Sequence, residues 1–158
     1  MPEDRGLFRE LTVKENLDLG CWGRKDAGIR EDLDFIFELF PILKTRGGQQ
    51  AETLSGGEQQ MLAVARALAR DVKLLLLDEV MAGLRPAEVD EMVSTIKGLR
   101  DQGITIFVIE HIMRAIMALS DRIVVIHFGK KISEGTQQDV ASDENVIKAY
   151  LGDDYVVA

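Results

Sequence analysis

The chain has 158 residues, 46% of them apolar and 29% charged, which suits one compact globular unit with a real core rather than a disordered chain. A formal net charge of −8 argues against direct nucleic-acid binding, which shows as a basic patch. One cysteine, Cys21, excludes an internal disulfide framework and suits a reducing cytosol, and with only His111 and His127 no metal-ligand cluster is visible.

The first seventeen residues, MPEDRGLFRELTVKENL, carry charges throughout and do not read as a signal peptide. No segment reaches the roughly 18–20 apolar residues that span a bilayer, so the chain is expected to be soluble, without direct membrane insertion. From Leu11 to about Leu68 the pattern is helical. Over Ile29 to Phe40, Leu33, Ile36, Phe37 and Phe40 form an apolar stripe with acidic residues opposite. Pro41 and then Gly47-Gly48 punctuate its end. A second helix is expected after Ser55, whose hydroxyl is suited to cap Gly57 or Glu58, running to about Arg70.

From Lys73 onward strands alternate with helices. Leu74 to Leu77 is a continuous apolar run ending in acids, which suits a strand buried on both faces. Pro86 opens a helix that Gly103 closes, and Ile104 to Ile109 reads as a second buried strand. A helix over Ile112 to Leu119 follows, then a strand from Arg122 to Phe128, a turn at Gly129 and a short strand near Lys131 to Glu134. This alternation points to an α/β fold with a mostly parallel sheet flanked by helices. In such sheets active groups collect at the carboxyl ends of strands, where Asp78-Glu79 and Glu110-His111 both fall.

Three constellations bear on chemistry. Leu54-Ser55-Gly56-Gly57-Glu58 places a capping serine and two glycines at a helix start, where backbone N–H groups and the helix dipole suit an anion such as phosphate. Taken alone, it reads first as an ordinary capped glycine turn. Leu74 to Leu77 followed by Asp78 and Glu79 puts two carboxylates at a strand tip; one could hold Mg²⁺ and its neighbour could deprotonate water. A solvated strand end would look the same. His111, after Glu110, could hydrogen-bond a terminal phosphate, or be a satisfied structural histidine.

In this order, LSGGE, LLLLDE and a strand ending in His111 resemble the ABC ATPase family over essentially the whole chain, as its signature motif, Walker B motif and switch histidine. The resemblance implies a partial P-loop NTPase fold with a helical subdomain. It implies a helical subdomain with the signature helix over about 11–70, an α/β core over about 71–136 and a helical tail over about 137–158. It assigns Asp78 to Mg²⁺, Glu79 to the general base, and His111 to the γ-phosphate of ATP. Ser55, Gly56 and Gly57, with Glu58 where glutamine is common, would bind the nucleotide of the opposite subunit. Glu3 stands where the family has the Q-loop glutamine, and Ala82-Gly83-Leu84-Arg85 occupies the D-loop. The implied partners are a second ATPase subunit in a head-to-tail dimer and transmembrane permease subunits, which would hold the chain on the inner face of the plasma membrane.

The segment Leu11-Thr12-Val13-Lys14-Glu15-Asn16-Leu17, with Pro2-Glu3, Ala82-Gly83-Leu84, Glu134-Gly135-Thr136 and Val146 to Gly152, resembles the ATP-binding subunits of branched-chain amino-acid importers. Several positions depart from the family pattern. No string of the form GxxxxGK followed by Ser or Thr occurs in the sequence, and that loop cradles the nucleotide phosphates. Val80 stands where proline usually follows the paired acids, and Arg85 where the D-loop has aspartate or asparagine. The chain therefore looks like a family member without its first third, expected not to hydrolyse ATP alone. A different class of function is also open, a non-enzymatic module that docks on an intact subunit or a membrane partner.

Overall fold

The computed structural model describes residues 6–70 and 72–151. It divides into two compact units, one ending at His111 and one beginning at Ile112, each with its own packing.

The first unit begins with helices. α1 (Val13–Gly20) starts at a capping box: the Glu15 N–H donates to Thr12 Oγ1 at 3.2 Å, and the Thr12 N–H donates to Glu15 Oε2 at 2.8 Å. Asn16 faces inward and is fully buried. Its Oδ1 accepts the Phe8 N–H at 2.9 Å, while its Nδ2 donates to the carbonyls of Phe8, Leu11 and Thr12. One amide side chain thus shapes the whole loop that enters α1.

α2 (Ile29–Leu39) follows the stripe expected from the sequence, with Ile36 and Phe40 buried and Leu33 and Phe37 half-buried. Pro41 does not end helical structure there. The chain bends at Phe40 and restarts as α3 (Pro41–Thr45), with Pro41 in the first turn, where its missing N–H leaves no bond unmade. A 3₁₀ turn (Ala51–Thr53) then leads into α4 (Gly56–Leu68). Gly20 ends α1 against α4, where an added Cβ would lie 2.7 Å from the Arg66 carbonyl oxygen and 3.0 Å from the Ala69 Cβ. Only glycine permits that approach without a shift.

β1 (Leu74–Asp78) and β2 (Thr105–Ile109) pair in parallel, from Leu74 opposite Thr105 to Asp78 opposite Ile109, and α5 (Pro86–Asp101) is the connection between them. Burial on both faces, expected for β1, is not what the structure shows. Leu75 and Leu77 are buried, whereas Leu74, Leu76, Phe107 and Ile109 are each more than half exposed. The reason is the pleat: neighbouring side chains leave opposite faces, and among the described residues this two-stranded sheet is packed on the face that carries Leu75 and Leu77.

The second unit is built around a hairpin. α6 (Met113–Leu119) precedes β3 (Ile123–His127), which pairs antiparallel with β4 (Lys130–Gly135). Phe128 and Gly129 form the turn with φ of 45° and 75°. The expected strands near 122–128 and 131–134 are therefore present, but they make a separate antiparallel pair, because a tight turn favours the neighbour next in sequence. α7 (Gln137–Ser142), capped by Thr136 and Asp139, and α8 (Glu144–Leu151) close this unit over Ile123, Val140 and Val146.

Candidate functional site

The parallel register aligns the ends of β1 and β2, so the residues after Asp78 and after Ile109 emerge side by side. The Glu79 N–H donates to the Ile109 carbonyl at 2.9 Å, which carries the pairing one residue past each strand. Glu79 then takes φ 50°, the left-handed region that side-chain-bearing residues rarely adopt. The chain turns at once: the Ala82 N–H donates to the Glu79 carbonyl at 3.1 Å and the Leu84 N–H to the Met81 carbonyl at 3.2 Å. Val80 and Met81 are buried beneath the turn, leaving Asp78 and Glu79 exposed.

On the adjacent strand end, His111 is exposed, and its Nδ1 lies 3.7 Å from Glu79 Oε1. Glu110 points the other way, its side chain fully buried, with Oε1 accepting the Met81 N–H at 2.8 Å. The sequence places Glu110 with His111 at a strand end but gives it no role of its own. Its signal is an acid directly after the apolar run Ile104 to Ile109, at a strand end where a charge is costly unless it is bonded.

The glycine-bearing helix start forms a second group. Ser55 Oγ accepts the Glu58 N–H at 3.3 Å, and Glu58 Oε2 accepts the Ser55 N–H at 2.8 Å, the cap expected from the sequence made with Glu58 rather than Gly57. Glu58 also pairs with Arg46 at 3.2 Å. Gly57 is buried, and a Cβ there would lie 2.9 Å from Glu88 Oε1. Arg85 answers the Glu88 charge: its guanidinium donates to Oε1 at 2.9 Å and its backbone N–H to Oε2 at 2.8 Å. Those two bonds, the guanidinium first, hold Glu88 below the usual carboxylate range.

Ser55 and Gly56 are exposed at the positive end of α4, a setting suited to an anion. Among the described residues no group of three or more His, Cys, Asp or Glu is arranged for a metal. An exposed carboxylate such as Asp78 fits Mg²⁺ all the same, because that ion keeps water and phosphate oxygens as most of its ligands. Glu3 lies outside the described residues, as do Pro2 and Gly152.

Among the described residues no helix is long and apolar enough to cross a membrane. A family model described as ABC transporter matches residues 1–82, and one described as branched-chain amino acid ATP-binding cassette transporter matches residues 130–156. The chain is 41% identical over 152 residues to the high-affinity branched-chain amino acid transport ATP-binding protein BraG of Pseudomonas aeruginosa, covering 96% of this chain and 65% of that protein. It is 36% identical over 158 residues to the lipopolysaccharide export system ATP-binding protein LptB of Haemophilus influenzae, covering 98% of this chain and again 65% of the relative. The chain thus spans under two thirds of the length of these relatives. Among solved structures, the ADP conformation of an ATP-binding cassette of an ABC transporter superposes with a TM-score of 0.77 at 29% identity, covering 92% of this chain and 64% of that one.

Proposed function

The chain belongs to the ABC transporter family as an ATP-binding domain, and from that premise we propose that it is part of the ATP-hydrolysing subunit of a branched-chain amino-acid importer. The 3.7 Å approach of His111 Nδ1 to Glu79 Oε1, at the ends of two parallel strands, is the observation that carries the hydrolytic part. Support for the solute class comes from the match over residues 130–156 and from the likeness to BraG.

In this reading Asp78 contributes one oxygen to Mg²⁺, which, when bound, offsets charge on the nucleotide phosphates. Glu79 takes the proton of the attacking water, and His111 donates a hydrogen bond to the γ-phosphate. Ser55, Gly56 and Gly57 act on the nucleotide of a second subunit in a head-to-tail dimer, with Glu58 fixing the cap beneath them. Glu3 is proposed for the Q-loop position. The helical region over about 11–70 faces transmembrane permease subunits, which would keep the chain peripheral on the inner face of the plasma membrane.

The sequence contains no GxxxxGK string followed by Ser or Thr, so a polypeptide of these 158 residues is expected not to turn over MgATP alone. The decisive measurement is phosphate release by the purified chain, expected at background. Turnover that Glu79→Gln abolishes would overturn this expectation. A second reading is a non-enzymatic module that lends its α4 N-terminus to an intact subunit, for which Ser55 and Gly56, exposed at the start of α4, are the supporting observation. A stable complex with an intact ATP-binding subunit supports it, and no detectable association counts against it.

A further inference from the structure

We infer that Glu110 is a positioning residue, a clamp that sets the separation of Glu79 and His111. The role is stated for the reaction proposed above and rests on that reading. The turn after β1 is attached to the end of β2 at two points. One is backbone to backbone, the Glu79 N–H on the Ile109 carbonyl at 2.9 Å. The other is made by a side chain, Glu110 Oε1 accepting the Met81 N–H at 2.8 Å.

Two attachments two residues apart fix what one would leave free to pivot. With the first alone, the segment from Val80 to Leu84 could swing about the Glu79 bond and carry the Glu79 carboxylate with it. The second bond removes that freedom, and Glu79 already sits in a strained conformation that its surroundings must hold. His111 follows Glu110 directly, so the residue that holds the turn also sets where the imidazole starts. The second carboxylate oxygen, Oε2, is buried and has no hydrogen-bond partner among the described residues, and it lies 4.0 Å from His111 Nδ1. A small rotation of the ring turns that oxygen into an acceptor for Nδ1–H, which would leave Nε2 to face substrate.

A fully buried carboxylate with an unpaired oxygen is a poor stabiliser of a strand end, since an apolar side chain of the same size would bury more cheaply. What an apolar side chain cannot do is hold the Met81 N–H. The acceptor oxygen, rather than the charge, is therefore the part of Glu110 that the clamp requires.

The test is native-state amide exchange on the 158-residue chain, with Glu110→Gln keeping an acceptor and Glu110→Met removing it at similar length. In the unaltered chain the Met81 and Glu79 amides should be protected and open together. Glu110→Met should speed Met81 exchange about tenfold relative to Leu75 and Leu77, with Glu110→Gln restoring at least most of the protection. The nuclear Overhauser contact between the His111 ring and the Glu79 side chain should persist in Glu110→Gln and weaken severalfold in Glu110→Met. A freely exchanging Met81 amide in the unaltered chain overturns the clamp without any variant. So does a Glu110→Gln chain that loses protection as fully as Glu110→Met, or one in which neither variant changes the ring contact. None of these readouts needs nucleotide, so failure of the hydrolysis reading leaves them standing, and their failure leaves the proposals for Asp78 and Glu79 untouched.

Discussion

The backbone N–H of Glu79 donates to the carbonyl of Ile109 at 2.9 Å, so the residue proposed to activate water is an extra rung on the parallel ladder. Its side chain projects from a position the sheet itself holds. That arrangement makes the backbone at 79 as informative as the carboxylate.

Because Glu79 has φ 50°, substitutions there should sort by backbone tolerance. Glu79→Asn, which visits the left-handed region readily, is expected to leave stability within about 0.5 kcal/mol. Glu79→Val should cost about 1–2 kcal/mol, since a β-branched side chain is strained there. Urea unfolding of the two variants checks this, and equal midpoints would show that the turn relaxes freely.

Two glycines in helices should respond in opposite directions to alanine. Gly98 sits inside α5 with Leu39 Cδ2 at 3.7 Å as the nearest atom to an added Cβ, an ordinary contact. Gly98→Ala should therefore stabilise the chain by about 0.5–1 kcal/mol through helix propensity. At Gly20 the same methyl meets the Arg66 carbonyl at 2.7 Å, and α1 must move away from α4. Gly20→Ala is expected to destabilise by about 1–3 kcal/mol despite the propensity gain. Thermal melts of both variants give the signs directly.

Asn16 satisfies four backbone groups with one buried side chain. Asn16→Ala leaves the Phe8 N–H and the loop carbonyls without that partner, at an expected cost of about 2–3 kcal/mol. The damage should be local as well as global. Limited proteolysis between Phe8 and Thr12 should accelerate more than cleavage elsewhere, and uniform acceleration would contradict the role given to this residue.

Acid should unfold the chain through carboxylates whose partners hold their pKa values down. Arg24, hydrogen-bonded to Asp26, holds that carboxyl down to about 2 from an ordinary 3.8. Glu88 is lowered by Arg85, and Glu15 and Asp139 by the Thr12 and Thr136 caps. Each of these acids binds its proton more readily in the unfolded chain. Their contribution is complete above the ordinary values, near 4.5 for glutamate, and is lost as pH falls towards about 2. A melting-temperature profile should fall over that window and be shallower in 1 M salt, because these groups are exposed to solvent. A melting temperature that rises on acidification below pH 4.5 would refute the assignment.

Local chemistry explains why so much was legible beforehand. The Ser55 cap, the stripe of Ile36 and Phe40, and the strands ending at Asp78 and Ile109 follow from spacing and from residues next to them in sequence. The order LSGGE, LLLLDE and His111 pointed to the family to which the chain belongs. The C-terminal strands and the turn at Gly129 between them are legible too, whereas their separation from the β1–β2 pair is not, since that depends on which edge a strand meets.

By itself, then, the sequence determined most of the elements, their order and the residue types offered at each strand end, because capping, periodicity and turn chemistry act within a few residues; the restart of helix at Pro41 was not among them. Only the tertiary structure decided that Glu79 adopts a left-handed conformation, that Glu110 turns inward to Met81 while His111 turns outward to Glu79, and that Leu74, Leu76, Phe107 and Ile109 are exposed while Leu75 and Leu77 are buried. Those outcomes depend on contacts between segments about 30 residues apart, where a one-residue change of register would reverse the direction of every side chain.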